Sequence, residues 1–415
     1  MVAYNNEREI RLNVKVVTFP LFLLLIYVVF TFMPWIYSYL SIFGEIKILL
    51  LAGIALVTSY IWTAGNYKNS KAYQNRIFWC WLGYLTAMGL SGVVSYDRGL
   101  TLRIIETNVK YMIVSSVMIK IIDSDERIEF LLGVFAACGM GMALSTILNY
   151  FVMGRTFEES YRGMALESGI FGDPNDLAML FNVTLPILLY FFTKKRKKVL
   201  CFMGLAVVIT AIMLTYSRGG FLGLCTVGFG FSLLMRRGKA SYVLLVLAAG
   251  VLFWGLAPEK YKQRISSIRE EAQIDQETGK YRGRIEGWKT GITEGMKRPV
   301  LGVGAGCSYY MAGFSMRDWH AIHNSFIQVF SEMGILGLAP FVLLFFLPYK
   351  QFRGLRRLGQ AGLETHLERF RFLLLSLVAF AGTSFFLPQA YSPIFYFLTG
   401  LILVQTELAS RCKAI

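Results

Sequence analysis

Apolar runs close to twenty residues long recur down the chain, and about twenty apolar residues in a helix are what a bilayer crossing requires. In hydrocarbon every backbone N–H and C=O must be satisfied within its own element, so this pattern restricts the chain to a bundle of membrane helices. The runs fall at 19–37, 46–62, 76–95, 104–122, 128–152, 176–193, 199–216, 220–235, 240–257, 322–348, 371–387 and 393–408, about twelve spans by hydropathy. Glu106, Lys110 and Lys120 interrupt the fourth. The expected fold is an all-α polytopic membrane protein, a single domain over 1–415.

A formal charge of +16 would suit nucleic acid if it were gathered on one patch, but it is spread over loops. Arg8, Arg11 and Lys15 precede the first span; Lys68, Lys71 and Arg76 follow the second; Lys194 to Lys198 follow the sixth. Arg236, Arg237 and Lys239 follow the eighth, and Arg353, Arg356 and Arg357 the tenth. With twelve spans all these loops share one side, which the positive-inside rule makes cytoplasmic, together with both termini. Segments 38–45, 96–103, 153–175, 217–219, 258–321 and 388–392 then face outward, and the expected partners are membrane lipids, with no nucleic acid. The first run lacks a small-residue cleavage site and reads as a signal anchor. Six scattered cysteines, with Cys307 lacking an obvious outer partner, give no disulfide framework or metal spacing.

Function is expected on the outer face, where 258–321 is the one long break in the apolar pattern. Ile285, Trp288 and Ile292 recur there at three- and four-residue steps, the pattern of a helix lying on the membrane surface. The following LGVGAG has glycines at 302, 304 and 306 whose N–H groups could cradle a phosphate, but no strand–turn–helix unit surrounds them, so a tight turn is expected. Segment 153–175 leads into GIFGDPNDLAM, where Asp173 suits an N-cap, Pro174 the first helical position, and Asp176 a third position reaching back to the cap.

Arg218 stands in TYSRGG between two apolar runs, on the side where basic residues are disfavoured, and so points to an anion. Arg282 and Arg284 lie in the long loop, and Arg284 precedes Trp288 by four residues, placing both on one helical face. His320 and His323 stand in WHAIHNSF before the tenth run. A helix from Asn324 to Tyr349 would be about 40 Å long against about 30 Å of hydrocarbon, so with Tyr349 and Lys350 anchoring the cytoplasmic end the overhang falls at the histidines. Gly334 and Gly337 are available for a bend. His320, Asn324, Gln328 and Glu332 make a polar stripe at four-residue spacing that must face protein or water. No third and fourth metal ligands stand nearby, which leaves histidine as a base or hydrogen-bond donor.

His323-Asn324, nine residues, then Gly334-Ile335-Leu336-Gly337 resembles the signature of the O-antigen ligase family, His-Asn/Ser/Gln and Gly-x-x-Gly separated by nine residues. SRGGFLG at 217–223 looks like that family's arginine-bearing outer turn, and Arg284-x-x-x-Trp288 followed by Pro299 to Gly304 is similar to its outer-loop pattern. The resemblance implies a metal-independent, cofactor-free inverting glycosyltransferase with twelve helices in the bacterial inner membrane. It would move a glycan from undecaprenyl diphosphate to a hydroxyl of the lipid A-core at the periplasmic face. His323 would be the general base, with His320 able to share the role and Asn324 orienting the base or the acceptor. Arg218 and Arg284 would hold the diphosphate, and Arg282 and Trp288 would contact substrate. A polysaccharide polymerase, whose arginine-glycine spacing Arg284 and Gly295 also fit, and a protein O-oligosaccharyltransferase would share the donor. A lipid-linked-sugar flippase or transporter would instead place charges along the midplane and break helices in two related halves.

Overall fold

The computed structural model describes residues 17–36, 48–67, 70–157, 161–166, 169–194, 198–234, 250–251, 254–255, 257–266, 284–312, 322–359 and 362–412. Among these the chain is helical without strands, apart from one isolated bridge between Thr156 and Gly163. The helices are α1 (Phe19–Phe32), α2 (Ile48–Thr63), α3 (Arg76–Val93), α4 (Arg98–Ile121), α5 (Asp125–Phe151), α6 (Pro174–Thr193) and α7 (Lys198–Leu214). They continue as α8 (Arg218–Leu234), α9 (Glu259–Ser266), α10 (Arg284–Lys297), α11 (Ser325–Leu358), α12 (Glu364–Ser384) and α13 (Pro393–Arg411).

Among the described residues five segments are long and apolar enough to cross a membrane: Ile48–Asn66, Asp125–Phe151, Pro174–Thr193, Ser325–Leu358 and Pro393–Arg411. α1, α7 and α8 are apolar but shorter. Most of the span expected at 240–257 lies outside the described residues. The helix over the expected fourth span, α4, starts earlier than 104, because the Asp97 carboxylate caps it by accepting from Leu100 N–H at 2.9 Å, and it is not among the segments apolar enough to cross. Its interrupting charges partly answer each other, Lys110 Nζ lying 2.5 Å from Glu106.

A helix apolar on every side belongs inside a bundle, and α6 is buried along nearly its whole length among α5, α7, α8 and α12. α2 is the opposite case: only Leu56 and Ser59 are buried, while Leu51, Ile54, Ile61 and Trp62 face outward. Where α5 begins, the Arg369 guanidinium of α12 is buried against Asp125 (2.6 Å), Glu129 (3.0 Å) and Gln405 of α13 (3.0 Å). A buried guanidinium is tolerable only when paired in this way, so these bonds fix α5, α12 and α13 to one another. The third histidine, His366, lies here too, its Nδ1 3.2 Å from Gln405 Nε2, away from His323.

α11 departs from expectation at both ends. It runs on past Tyr349 and Lys350 to Leu358, where Gly359 closes it at φ 60°, so the overhang is not confined to the histidine end. It begins only at Ser325, with Asn324 as N-cap accepting from Phe326 N–H (2.9 Å) and Ile327 N–H (3.1 Å). Ile322 to Asn324 are non-helical, so the polar stripe does not continue back to His320 on the same helix.

Candidate functional site

The Gly-x-x-Gly of the signature is where α11 breaks. Gly334 has φ 60° and ψ −158°, a conformation open in practice to glycine alone. The break removes the hydrogen bonds that the carbonyls of Ser331 and Glu332 and the N–H of Ile335 would make in a continuous helix. The Pro299–Gly304 loop replaces each one: Val303 N–H donates to Ser331 O (3.1 Å), Gly304 N–H to Glu332 O (2.9 Å), and Ile335 N–H to Pro299 O (2.8 Å). Pro299 to Gly304 and the break in α11 are thus two halves of one joint.

The polar stripe faces protein, as its cost in lipid demanded. Glu332 is wholly buried and its carboxylate accepts from Gly306 N–H (2.8 Å), Ser308 N–H (3.3 Å), Gln328 Nε2 (3.4 Å) and the Tyr391 hydroxyl. LGVGAG forms turns, as expected, with positive φ at Gly302, Gly304 and Gly306; of these glycines only Gly306 donates to the Glu332 carboxylate, the Gly302 and Gly304 N–H groups going to the Arg298 and Glu332 carbonyls. Gln328 donates to Glu332 and Asn324 caps its helix, so the stripe builds the scaffold beside His323. The loop is also strapped to the α3–α4 turn. Tyr96 N–H donates to Val303 O (3.0 Å), and the Tyr310 hydroxyl donates to Asp97 (2.9 Å). The Leu100 N–H and the Tyr310 hydroxyl hold the Asp97 carboxyl below the usual carboxylate range.

The SRGG turn joins α7 to α8 through Tyr216, a non-glycine residue at φ 49°. Such a conformation is uncommon, and here it is held by a ring of contacts. Tyr216 packs against Tyr161 (4.9 Å between centroids) and Tyr261 (5.7 Å), and the Tyr261 hydroxyl donates to Ser217 O (3.2 Å). Ser217 Oγ accepts from Gly220 N–H (2.9 Å) and donates to Asn175 Oδ1 (2.7 Å). A second arginine reaches the turn: buried Arg162 donates through Nε to Thr215 O (3.3 Å) and lies 3.8 Å from Asp173. Asp173 is the N-cap and Pro174 begins α6 as expected, whereas Asp176 does not reach back but accepts from Gln389 Nε2 at 2.7 Å.

α10 buries Gly287, Gly291 and Gly295, and the last two seat it on Ile322, Ile327 and Phe330. Gly295, which matched the polymerase-like spacing from Arg284, thus has a packing role. Trp288 donates through Nε1 to His323 O (3.3 Å), and its ring meets Phe385 (5.5 Å) and Phe386 (6.1 Å). Phe386 also borders the SRGG turn: a β-carbon at Gly219 would stand 3.2 Å from Phe386 Cβ. Trp288 and His323 are therefore in contact, Arg284 is one helical turn from Trp288, and Arg218 begins the turn on the far side of Phe386. His320 and Arg282 lie outside the described residues.

α6, α8 and α11 all begin at this end of the molecule, tied together by Asn175, Ser217, Gln389 and Ser325. A helix start carries about half a positive charge, so their alignment adds to the arginines in favouring an anion. Among the described residues no three His, Cys, Asp or Glu side chains are grouped to hold a metal ion. Sequence reasoning passed over Arg162, Asn175 and Gln389, and it read Asp176 only as part of the α6 cap, which GDPND explains without a long-range partner.

None of the curated proteins compared with the chain matches it. Residues 203–342 match the model of the O-antigen ligase family. The matched segment runs from within α7 to within α11, enclosing both the SRGG turn and the glycine joint, and over these residues the chain is similar to the O-antigen ligase family.

Proposed function

We propose that the protein is an O-antigen ligase, which transfers a glycan from undecaprenyl diphosphate to a hydroxyl of the lipid A-core at the periplasmic face of the inner membrane. The observation that carries this reading is the gathering of the Arg218 turn, the Arg284–Trp288 helix and His323 around Phe385 and Phe386. The bond from the anomeric carbon to the phosphate oxygen breaks, and the acceptor oxygen attacks the opposite face with inversion. His323 takes the acceptor proton, and undecaprenyl diphosphate leaves with the electron pair. Charge grows on the diphosphate as the bond breaks, and fixed guanidinium groups and helix starts stabilise it most in the transition state. No metal or cofactor has a step in this scheme.

The decisive experiment supplies purified protein with lipid-linked glycan and either lipid A-core or a second lipid-linked glycan. Glycosylated core is the expected product; chain growth on the carrier would make the enzyme a polymerase, and movement of the carrier without a new glycosidic bond would make it a flippase. Full activity of both Arg218→Lys and Arg284→Lys would remove these residues from the diphosphate. The expected loss is about 10- to 100-fold in each, because an ammonium keeps the charge but cannot fork onto two phosphate oxygens.

The twelve-span topology with cytoplasmic termini belongs to the same proposal. Single cysteines at Lys194 and Glu259, in a background without the native cysteines, should label with an impermeant maleimide from the inside and the outside respectively. Labelling of position 194 in intact cells would invert the arrangement.

A further inference from the structure

Two side chains in the first turn of α6 point away from their own helix. Capping there is already done by Asp173, whose Oδ1 accepts from the backbone N–H (2.6 Å) and the carboxamide Nδ2 (2.5 Å) of Asn175. Asn175 Oδ1 is left to accept from Ser217 Oγ (2.7 Å), and Ser217 Oγ accepts from Gly220 N–H (2.9 Å), so this arm sets the first turn of the helix that Arg218 begins. Asp176 accepts from Gln389 Nε2 (2.7 Å), Gln389 N–H donates to Ser325 Oγ (2.8 Å), and Ser325 donates to Leu387 O (2.6 Å). That second arm sets the first residue of α11, two positions after His323.

We infer that Asn175 and Asp176 are a two-armed positioning pair that holds Arg218 and His323 at a fixed separation, Asn175 acting through Ser217 and Asp176 through Gln389 and Ser325. The roles given to Arg218 and His323 rest on the proposed transferase; the two arms rest on hydrogen bonds alone. Asn175, Ser217 and Ser325 are buried, where a broken bond leaves a polar group with no water to replace its partner, so the first arm and the Ser325 end of the second are stiff, while Asp176 and Gln389 are half-buried. Stiffness matters because a displacement of about 1 Å between reacting groups costs on the order of 10²-fold in rate. Adjacent residues of one helix serve both arms, so any shift of α6 moves Arg218 and His323 together.

Steady-state transfer by protein in nanodiscs separates the arms. Asn175→Ala and Ser217→Ala should raise KM for the lipid-linked donor about tenfold, since they loosen the anion-binding turn. Asp176→Ala and Gln389→Ala should leave that KM alone and lower kcat about 10- to 100-fold. Asp176→Asn, whose carboxamide oxygen can accept the same hydrogen bond, should return kcat to within about threefold of the wild type, and the Asp176→Ala/Gln389→Ala double variant should be no slower than Asp176→Ala. The same kinetic change in both arms, an additive double variant, or an Asp176→Asn enzyme as slow as Asp176→Ala would overturn the pair as a positioning device. Hydrogen exchange gives a readout independent of catalysis. Asp176→Ala should speed exchange at Phe326 and Ile327 but not at Gly220 and Phe221, and Asn175→Ala the reverse. Should wild-type protein transfer glycan to no acceptor, the functional reading falls while the exchange pattern still decides the pair; loosening of both regions by either variant would sink it.

Discussion

His323→Ala protein should insert and fold like the wild type yet transfer glycan roughly 10²-fold or more slowly, the loss expected when a general base is deleted. Folding should survive because the contact that ties this residue to the outer loop runs from Trp288 Nε1 to the His323 carbonyl, which alanine retains. The cap of α11 likewise belongs to Asn324 and its hinge to Gly334. What is removed is the imidazole that the proposed transfer uses to take a proton, placed just ahead of the start of α11. His320→Ala should lose less, and EDTA should leave wild-type activity unchanged. Near-normal turnover by His323→Ala, or chelator inhibition reversed by a divalent ion, would show that another group takes the proton.

The second large effect is structural. Gly334→Ala should destabilise the end of the molecule around this joint by about 3 kcal/mol or more, combining backbone strain with overpacking. A β-carbon there would stand 2.3 Å from the carbonyl carbon and oxygen of Val300, and backbone cannot move aside as a flexible side chain can. The joint between Pro299–Gly304 and α11 should open, seen as a lowered Tm in detergent and as protease cleavage near Gly302. Gly359 provides the control: it has the same φ of 60° but open space around it, so Gly359→Ala should cost only about 1 kcal/mol. Equal melting of the two variants would mean that the joint is not tight.

These two residues mark what could be read from the chain alone. An apolar run is a local property, and lipid leaves the backbone within it no choice but to satisfy itself, so helices at α5, α6 and α13 followed directly from composition. Capping is local as well, which is why Asp173 and Pro174 stand where GDPND put them. The stripe of Asn324, Gln328 and Glu332 could be assigned to the protein interior from its cost in lipid, and Gly334 named as a place to bend.

What the stripe bonds to could not be read, because the answer lies in residues far away along the chain. Glu332 accepts from Gly306 and Ser308 N–H and meets Tyr391, Asp176 meets Gln389 across 213 positions, and Arg369 finds Asp125 across 244. No periodicity records such partnerships, since each depends on where helix packing brings two distant segments. The sequence by itself determined most of the apolar helices and the Asp173–Pro174 start of α6. Only the tertiary structure decided that Glu332 accepts from Gly306 and Ser308, that the Gly-x-x-Gly break and the Pro299–Gly304 loop complete each other's hydrogen bonds, and that the first turn of α6 bonds to Ser217 and, through Gln389, to Ser325. Buried polar groups must be paired, but the pairing is chosen by packing.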